Sequence, residues 1–401
     1  MDEPGDLLEK RALAVEGNEV ALKLVHTADW HLGATFPSFD ELGRQQLSRA
    51  RLSVIDRILG LAERHLAHAL LCAGDLFDDP DPGPEWWEGL ARKFQQRSWS
   101  ERPVFLLPGN HDPLTVSGVY SKGHPFRAAL PPWVHVVDRD DYCFELAGGA
   151  MLYAAPCRSR SESRDLARTL IPGREPGDER VRIGMVHGTT FDLPGHQMNF
   201  PIGREVAELK GLDYLAIGDT HAFRDVTPHG HAPTVYPSTP EPTNFGERDA
   251  GQAVVVYFPS DRRRRALVRA EPVAQWTWEE ARCTSLEQLR ALAARDLTQH
   301  VLRLVLDLRL GVAEFAELER VVADLAGSAA APGAVGVLQL DRARLRLDTE
   351  DVESTLARAP AVIRAAAARL RARERECGAD SDQGELARRA LYQLYQLTRE
   401  A

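Results

Sequence analysis

Ala69-Leu70-Leu71-Cys72-Ala73-Gly74-Asp75-Leu76-Phe77-Asp78 is a short apolar run that ends in a glycine and is followed at once by a carboxylate. A run without polar alternation reads as a strand buried on both faces. The glycine permits a sharp turn and leaves room for something bulky above the strand end. In open α/β sheets, ligands sit in the crevice beyond the carboxyl ends of strands, which is where Asp75 falls. One Gly-Asp after a strand carries little by itself, because an aspartate there commonly caps the next helix.

Four other segments repeat the design. Leu22 to Ala28 delivers Asp29 and His31, and Val104 to Leu107 delivers Gly109-Asn110-His111-Asp112. Val181 to Val186 delivers His187-Gly188, and Tyr214 to Ile217 delivers Gly218-Asp219-Thr220-His221. Strand ends of one design predict a single sheet edge that gathers Asp29, His31, Asp75, Asn110, His187, Asp219 and His221, with His111 to spare. One metal takes about four to six donors, many of them water, so this set suffices for two ions. Two ions a few ångströms apart are the standard apparatus for hydrolysing phosphate esters. The plainer reading, that each polar residue caps its own turn, serves Asp112 or Asp78 taken alone but not the ordered set.

The order Asp-x-His, Gly-Asp-x-x-Asp, Gly-Asn-His-Asp, His-Gly, Gly-x-x-His resembles the calcineurin-like metallophosphoesterase superfamily from Lys23 to about Phe258. Pro237-Ser238-Thr239-Pro240-Glu241-Pro242-Thr243-Asn244-Phe245-Gly246-Glu247, then Gly251 and the run Ala253 to Phe258, is similar to its DNA-repair exonuclease branch, the SbcD-like nuclease subunits. Asp78, which completes Gly-Asp-Leu-Phe-Asp, fits that branch. The chain departs where the family has Gly-His-x-His, since Asp219 stands in place of the first histidine.

The resemblance implies an α/β fold: two central sheets flanked by helices, a small α/β cap domain and C-terminal helices. It implies two divalent metal ions, Mn²⁺ as first choice with Mg²⁺ also accommodated. Carried onto matching positions, Asp75 bridges the metals; Asp29, His31 and His221 complete one site, and Asn110, His187 and Asp219 the other. His111 resembles the substrate-facing catalytic histidine, with Asp112 expected to orient it. The implied partners are DNA, an SMC-like coiled-coil ATPase of the SbcC type and a second copy of the chain. The leading functional expectation is therefore a metal-dependent DNA nuclease subunit. Two alternatives stay open: a phosphoesterase on a small or nucleotide substrate, and a metal-bound scaffold with little turnover, which Asp219 alone favours.

Composition agrees with an ordinary globular chain. Hydrophobic residues at 44% and charged residues at 27% of 401 allow a large core and two or three domains. No apolar run approaches the ~18 residues of a membrane span. Met1 to Val20 is acidic and lacks an apolar signal core, so export is not expected. The five cysteines are scattered without a Cys-x-x-Cys pair, which suits the reducing cytoplasm. A formal net charge of −10 argues against a strong general grip on DNA, which two bound cations would offset locally.

The organisation expected is an N-terminal extension at 1–20, a metallophosphoesterase domain at 21–271, a cap domain at 272–349 and a helical pair at 350–401. Within the second segment, Glu41 to His65 and Glu85 to Gln96 read as helices, and Arg158 to Arg168 as a further one. Arg262 to Arg265 reads as a hairpin tip. The last two helices should break at Cys377-Gly378-Ala379-Asp380, and they either pack on their own domain or engage the ATPase partner.

Overall fold

The computed structural model describes residues 20–99, 102–170, 174–190, 198–261, 263–327, 334–347, 356, 359–378 and 381–400. Apart from Val20, the expected N-terminal extension lies outside them, as does Arg262 of the arginine run. The chain divides into two compact units, Met1–Trp276 and Thr277–Ala401.

The first unit begins with β1 (Val20–Thr27), α1 (Glu41–Arg64), β2 (Ala69–Cys72), α2 (Pro84–Gln95), β3 (Val104–Leu106), α3 (Pro125–Ala129) and β4 (Val134–Val136). It continues through β5 (Tyr142–Glu145), β6 (Met151–Ala154), β7 (Arg182–His187), α4 (Val206–Leu209), β8 (Tyr214–Gly218), β9 (Arg224–Asp225), β10 (Thr234–Tyr236), β11 (Gln252–Pro259) and β12 (Leu267–Pro272). These strands form two six-stranded sheets, ordered β12-β11-β1-β2-β3-β4 and β5-β6-β7-β8-β10-β9. Strands β1 to β4 run parallel, as do β6, β7, β8 and β10. Antiparallel strands β11–β12, β5 and β9 complete the sheets.

The apolar runs are unbroken because both faces of each sheet are covered. Leu24, Leu71, Phe105, Ile183, Met185, Tyr214, Val254 and Val256 meet in the core between the sheets. Alternate residues Val25, Leu70, Cys72 and Leu106 face outward onto Val54, Ile58 and Leu61 of α1 and Leu90 and Phe94 of α2. Outward residues of the second sheet, Val186, Leu215 and Ile217, pack under Leu166, Leu170 and Val206. The central strands thus serve two cores at a period of two, and the result is a four-layered sandwich. Asp40 caps α1 by accepting from the Gly43 backbone N–H at 2.8 Å. The helix expected over Arg158 to Arg168 is absent among the described residues. Only a 3-10 turn at Leu166–Thr169 forms there, capped by Asp165.

The second unit contains β13 (Thr277–Cys283), α5 (Leu286–Ala293), β14 (His300–Leu306), β15 (Arg309–Leu310), α6 (Val312–Leu325), β16 (Val337–Asp341), β17 (Arg346–Leu347), α7 (Ala361–Cys377) and α8 (Asp382–Glu400). A parallel sheet β13-β14-β16 presents Leu302, Leu304 and Leu306 to Leu289 of α5 and Leu318 of α6. Ala367 of α7 with Leu391 and Tyr392 of α8 belongs to the same core, and the Tyr392 ring lies 4.2 Å from that of Phe315. The terminal helices therefore pack on their own unit, with Gly378 between them at a φ of +83°. Val362 and Leu386 remain on their outer faces. Among the described residues no helix is long and apolar enough to cross a membrane.

Candidate metal centre

All five chemistry-bearing turns follow parallel strands, so their side chains gather at the carboxyl ends. The expectation of one sheet edge is corrected in one respect. The first sheet supplies three turns, after β1, β2 and β3, and the second supplies two, after β7 and β8. Backbone bonds bring the turns together: Asp29 N–H donates to Gly74 O and His31 N–H to Asp75 O, both at 3.0 Å. Across the sheets, the Asp219 N–H donates to the Asp29 carboxylate at 3.0 Å. The turns are tight enough that Asp29, His31, Asp75 and Asp219 all take positive φ, of 56°, 44°, 53° and 107°. Such strain in non-glycine residues persists only where surrounding structure dictates it, and it clusters at functional sites. A Cβ on Gly109 would lie 2.1 Å from Asp75 Oδ1, so only glycine lets that backbone approach the carboxylate.

Three groups of donors have atoms within 4.8 Å of one another: Asp29, His31 and His221; Asp29, Asp75 and His187; and His31, Asp78 and His111. Asp29 is common to the first two, and Asp75 Oδ2, in the second, lies 3.4 Å from His187 Nε2 and 3.9 Å from His31 Nε2 of the first. Asn110 Oδ1 lies 2.8 Å from His187 Nε2, and Asp219 Oδ1 is 3.8 Å from the same nitrogen. The seven residues that the sequence singled out are thus one cluster, with Asp29, His31, Asp75 and His187 buried.

The donor set fits metal ions for a specific reason. The Nδ1 atom of each histidine faces an acceptor: Asp78 Oδ1 at 3.0 Å for His31, Glu247 Oε1 at 2.9 Å for His221 and Ala73 O at 2.9 Å for His187. An Nδ1–H that donates outward leaves the Nε2 lone pair directed inward, the usual arrangement behind a metal-ligating imidazole. His31 Nε2 and His221 Nε2 then meet at 3.0 Å, and His187 Nε2 meets the Asn110 carbonyl oxygen at 2.8 Å. Electron-pair donors brought so close need a proton or a cation between them.

The electrostatics point the same way. Burial pushes the Asp29 carboxyl up to about 7, against the pull of His187 and His221. Burial also disfavours charge on Asp75 and on His187. Their mutual attraction outweighs it, holding the Asp75 carboxyl well below the usual range and the His187 imidazole well above its own. Without metal, the pocket draws in positive charge as protons.

His111 sits half-buried at the rim, its ring edge-on to His31 with centroids 4.8 Å apart. Its Nδ1 lies 3.3 Å from the Asp78 carbonyl and 3.4 Å from Asp78 Oδ1. The carboxylate that orients His111 is therefore Asp78, which corrects the role expected for Asp112. Asp112 is fully buried, and it accepts from the Phe77 and Gly109 backbone N–H groups and the Tyr120 hydroxyl, at 2.8–2.9 Å. It braces the turn that carries Asn110 and His111.

Sequence reasoning also missed Arg51. This arginine on α1 is 2% exposed and donates to the Trp30 and Glu241 carbonyls, at 2.8 and 2.9 Å, and to Thr239 Oγ1 at 3.0 Å. It ties the turn bearing Asp29 and His31 to the segment that ends in Glu247. Nearby, burial raises the Glu241 carboxyl to about 7, although the Gln275 and Trp276 backbone and Arg51 pull it down. A carboxyl whose folded pKa lies above its unfolded 4.5 contributes stability that is lost as pH rises from about 4.5 to 7. Glu241→Gln is expected to flatten that part of the metal-free protein's stability–pH curve; an unchanged slope in urea titrations across the window would refute the burial argument.

Residues 22–234 match the family described as calcineurin-like phosphoesterase. The chain is 25% identical over 267 residues to YhaO of Bacillus subtilis (strain 168), an uncharacterized metallophosphoesterase, covering 65% of this chain and 62% of that one. It is 25% identical over 303 residues to the SbcD component of nuclease SbcCD from the same organism, covering 66% of this chain and 70% of the relative. The SbcD component of nuclease SbcCD from Escherichia coli (strain K12) shares 33% identity over 95 residues, 23% of this chain and 21% of that protein. The chain thus spans under two thirds of the length of YhaO and about a fifth of the Escherichia coli protein.

Proposed function

Since this chain belongs to the calcineurin-like phosphoesterase family, we propose that it hydrolyses phosphodiester bonds of DNA with two divalent cations, Mn²⁺ first and Mg²⁺ as substitute. The observation that carries the reading is the set of three imidazoles anchored through Nδ1, with their Nε2 atoms converging on Asp29 and Asp75. Two cations held there would supply Lewis-acid charge to the phosphoryl oxygens and lower the pKa of water as the nucleophile. Asp75, Asp29, His31 and His221 would hold one, and Asp75, Asn110, His187 and Asp219 the other.

His111 acts on the leaving side. Asp78 engages its Nδ1 and, in the metal-free protein, raises its pKa to about 9, with burial opposing. When protonated, the imidazole at the rim steadies developing negative charge and can pass a proton to the departing oxygen. Thr243 and Glu247, from the segment that resembles the exonuclease branch, hold His221 from behind.

DNA is favoured as substrate by that segment and by the similarity to SbcD components of nuclease SbcCD. The similarity to SbcCD components favours an SbcC-type partner, and the family resemblance implies a DNA-binding cap at 272–349, a coiled-coil ATPase as that partner and a homodimer working in the cytoplasm. The outer faces of α7 and α8 carry the exposed apolar residues Val362 and Leu386 available to that partner.

Labelled duplex DNA with Mn²⁺ tests the reading. Wild type should cut it, and His111→Ala should keep its metal content while losing about 10²-fold or more of the rate. Undiminished cleavage by a fully metallated His111→Ala protein would remove the residue from the mechanism. Inert DNA beside rapid hydrolysis of a nucleotide ester would favour a small substrate instead.

A further inference from the structure

The two halves of the centre are built from different atoms. In one, His31 Nε2 and His221 Nε2 lie 3.0 Å apart beside Asp29, so two imidazole nitrogens face a cation. In the other, His187 Nε2 is the one imidazole nitrogen of the proposed ligand set. Around it stand Asn110 Oδ1 at 2.8 Å, Asp75 Oδ2 at 3.4 Å and Asp219 Oδ1 at 3.8 Å, all oxygens.

Asp219 is held in that position by the fold. The Thr189 hydroxyl, two residues beyond His187, donates to Asp219 Oδ2 at 2.7 Å and leaves Oδ1 toward His187. The Asp219 backbone is pinned as well, through its N–H on the Asp29 carboxylate at 3.0 Å and a φ of 107°. The carboxylate is thus fixed by its own buttress.

Imidazole nitrogens favour borderline transition metals, whereas carboxylate and carbonyl oxygens suit hard dications such as Mg²⁺ and Mn²⁺. We propose that the Thr189–Asp219 pair makes the two metal sites unequal, so that the His31–His221 half selects a borderline transition ion and the His187–Asp219 half a hard dication. This rests on the two-cation reading above and adds which ion each half prefers. Replacing imidazole by carboxylate changes both the donor type and the charge of one half only, so metal competition should resolve the halves.

The test uses metal-free full-length protein equilibrated by dialysis against a fixed low concentration of Co²⁺ that still exceeds the sites, with Mg²⁺ in large excess over Co²⁺. Cobalt and magnesium are counted per chain and the electron paramagnetic resonance recorded. Wild type should retain about one Co²⁺ per chain, magnetically isolated, since Mg²⁺ competes well only for the oxygen-rich half. Asp219→His should retain about two, showing exchange coupling. Thr189→Val should still hold about one Co²⁺ but lose Mg²⁺ affinity several-fold as the carboxylate is freed. Two Co²⁺ per wild-type chain under Mg²⁺ excess would overturn the inequality while leaving the two-cation centre standing. No cobalt but two Mg²⁺ per chain would likewise overturn the inequality, and neither metal retained would overturn the centre itself. The wild-type count decides the matter even if Asp219→His fails to fold.

Discussion

Asp75→Asn is expected to abolish retention of both metal ions and to lower phosphodiester cleavage by about 10³-fold or more, because one carboxylate serves both halves of the centre. Its Oδ2 stands 3.4 Å from His187 Nε2 and 3.9 Å from His31 Nε2, while Oδ1 accepts the His111 backbone N–H at 2.9 Å. Asparagine preserves shape and that last hydrogen bond, so the loss isolates the negative charge. Substitutions further out should be milder. Asp78 reaches the cluster through His31 and His111 and is not among the proposed ligands, so Asp78→Asn should leave metals bound, with lower affinity at the His31 half, and weaken His111. Elemental analysis after dialysis reads the difference. An Asp75→Asn protein that keeps two ions per chain would reject Asp75 as the shared anion and leave Asp29, the residue common to both donor groups.

Arg51→Met is expected to destabilise the protein by about 3–5 kcal/mol, the range for breaking a buried charged network. The guanidinium reaches the carbonyls of Trp30, His31, Asp29, Glu241 and Pro242 and the Thr239 hydroxyl. Methionine fills much of the volume but leaves those buried acceptors without a donor, each at about 1–3 kcal/mol if none finds water. The group is charged at neutral pH although burial lowers its pKa to about 10. In a domain of this size such a loss lowers the melting temperature by roughly 10 °C. Lysine should not rescue it, since a single ammonium cannot reproduce the planar fork. Metal affinity should fall too, because Arg51 fixes the turn holding Asp29 and His31. A melting temperature within a degree or two of wild type would refute the role.

The strand ends were legible because both faces of each parallel strand are buried, and that turns a strand into an uninterrupted apolar word followed by a polar one. Ala69–Cys72 with Asp75, and Tyr214–Gly218 with Asp219 and His221, follow that rule. What escaped was whatever depends on chain segments far apart. Asp78 reads locally as a turn cap, and its bonds to His31 and His111 appear only when the turns after β1, β2 and β3 converge. Arg51 looks like the polar face of a helix, yet the helix presents it inward to the segment 239–242, some 190 residues away in sequence. Asp112 neighbours His111 in sequence, yet its carboxylate turns to Phe77, Gly109 and Tyr120. The division of the turns between two sheets was likewise invisible to periodicity, which says how a strand is buried but not which sheet it joins.

The most direct measurement is hydrolysis of bis(p-nitrophenyl) phosphate by chelator-treated protein titrated with Mn²⁺. The metal centre described here predicts no turnover without metal and full recovery at about two Mn²⁺ per chain. Turnover that survives complete metal removal, or that never appears at any Mn²⁺ concentration, would contradict it.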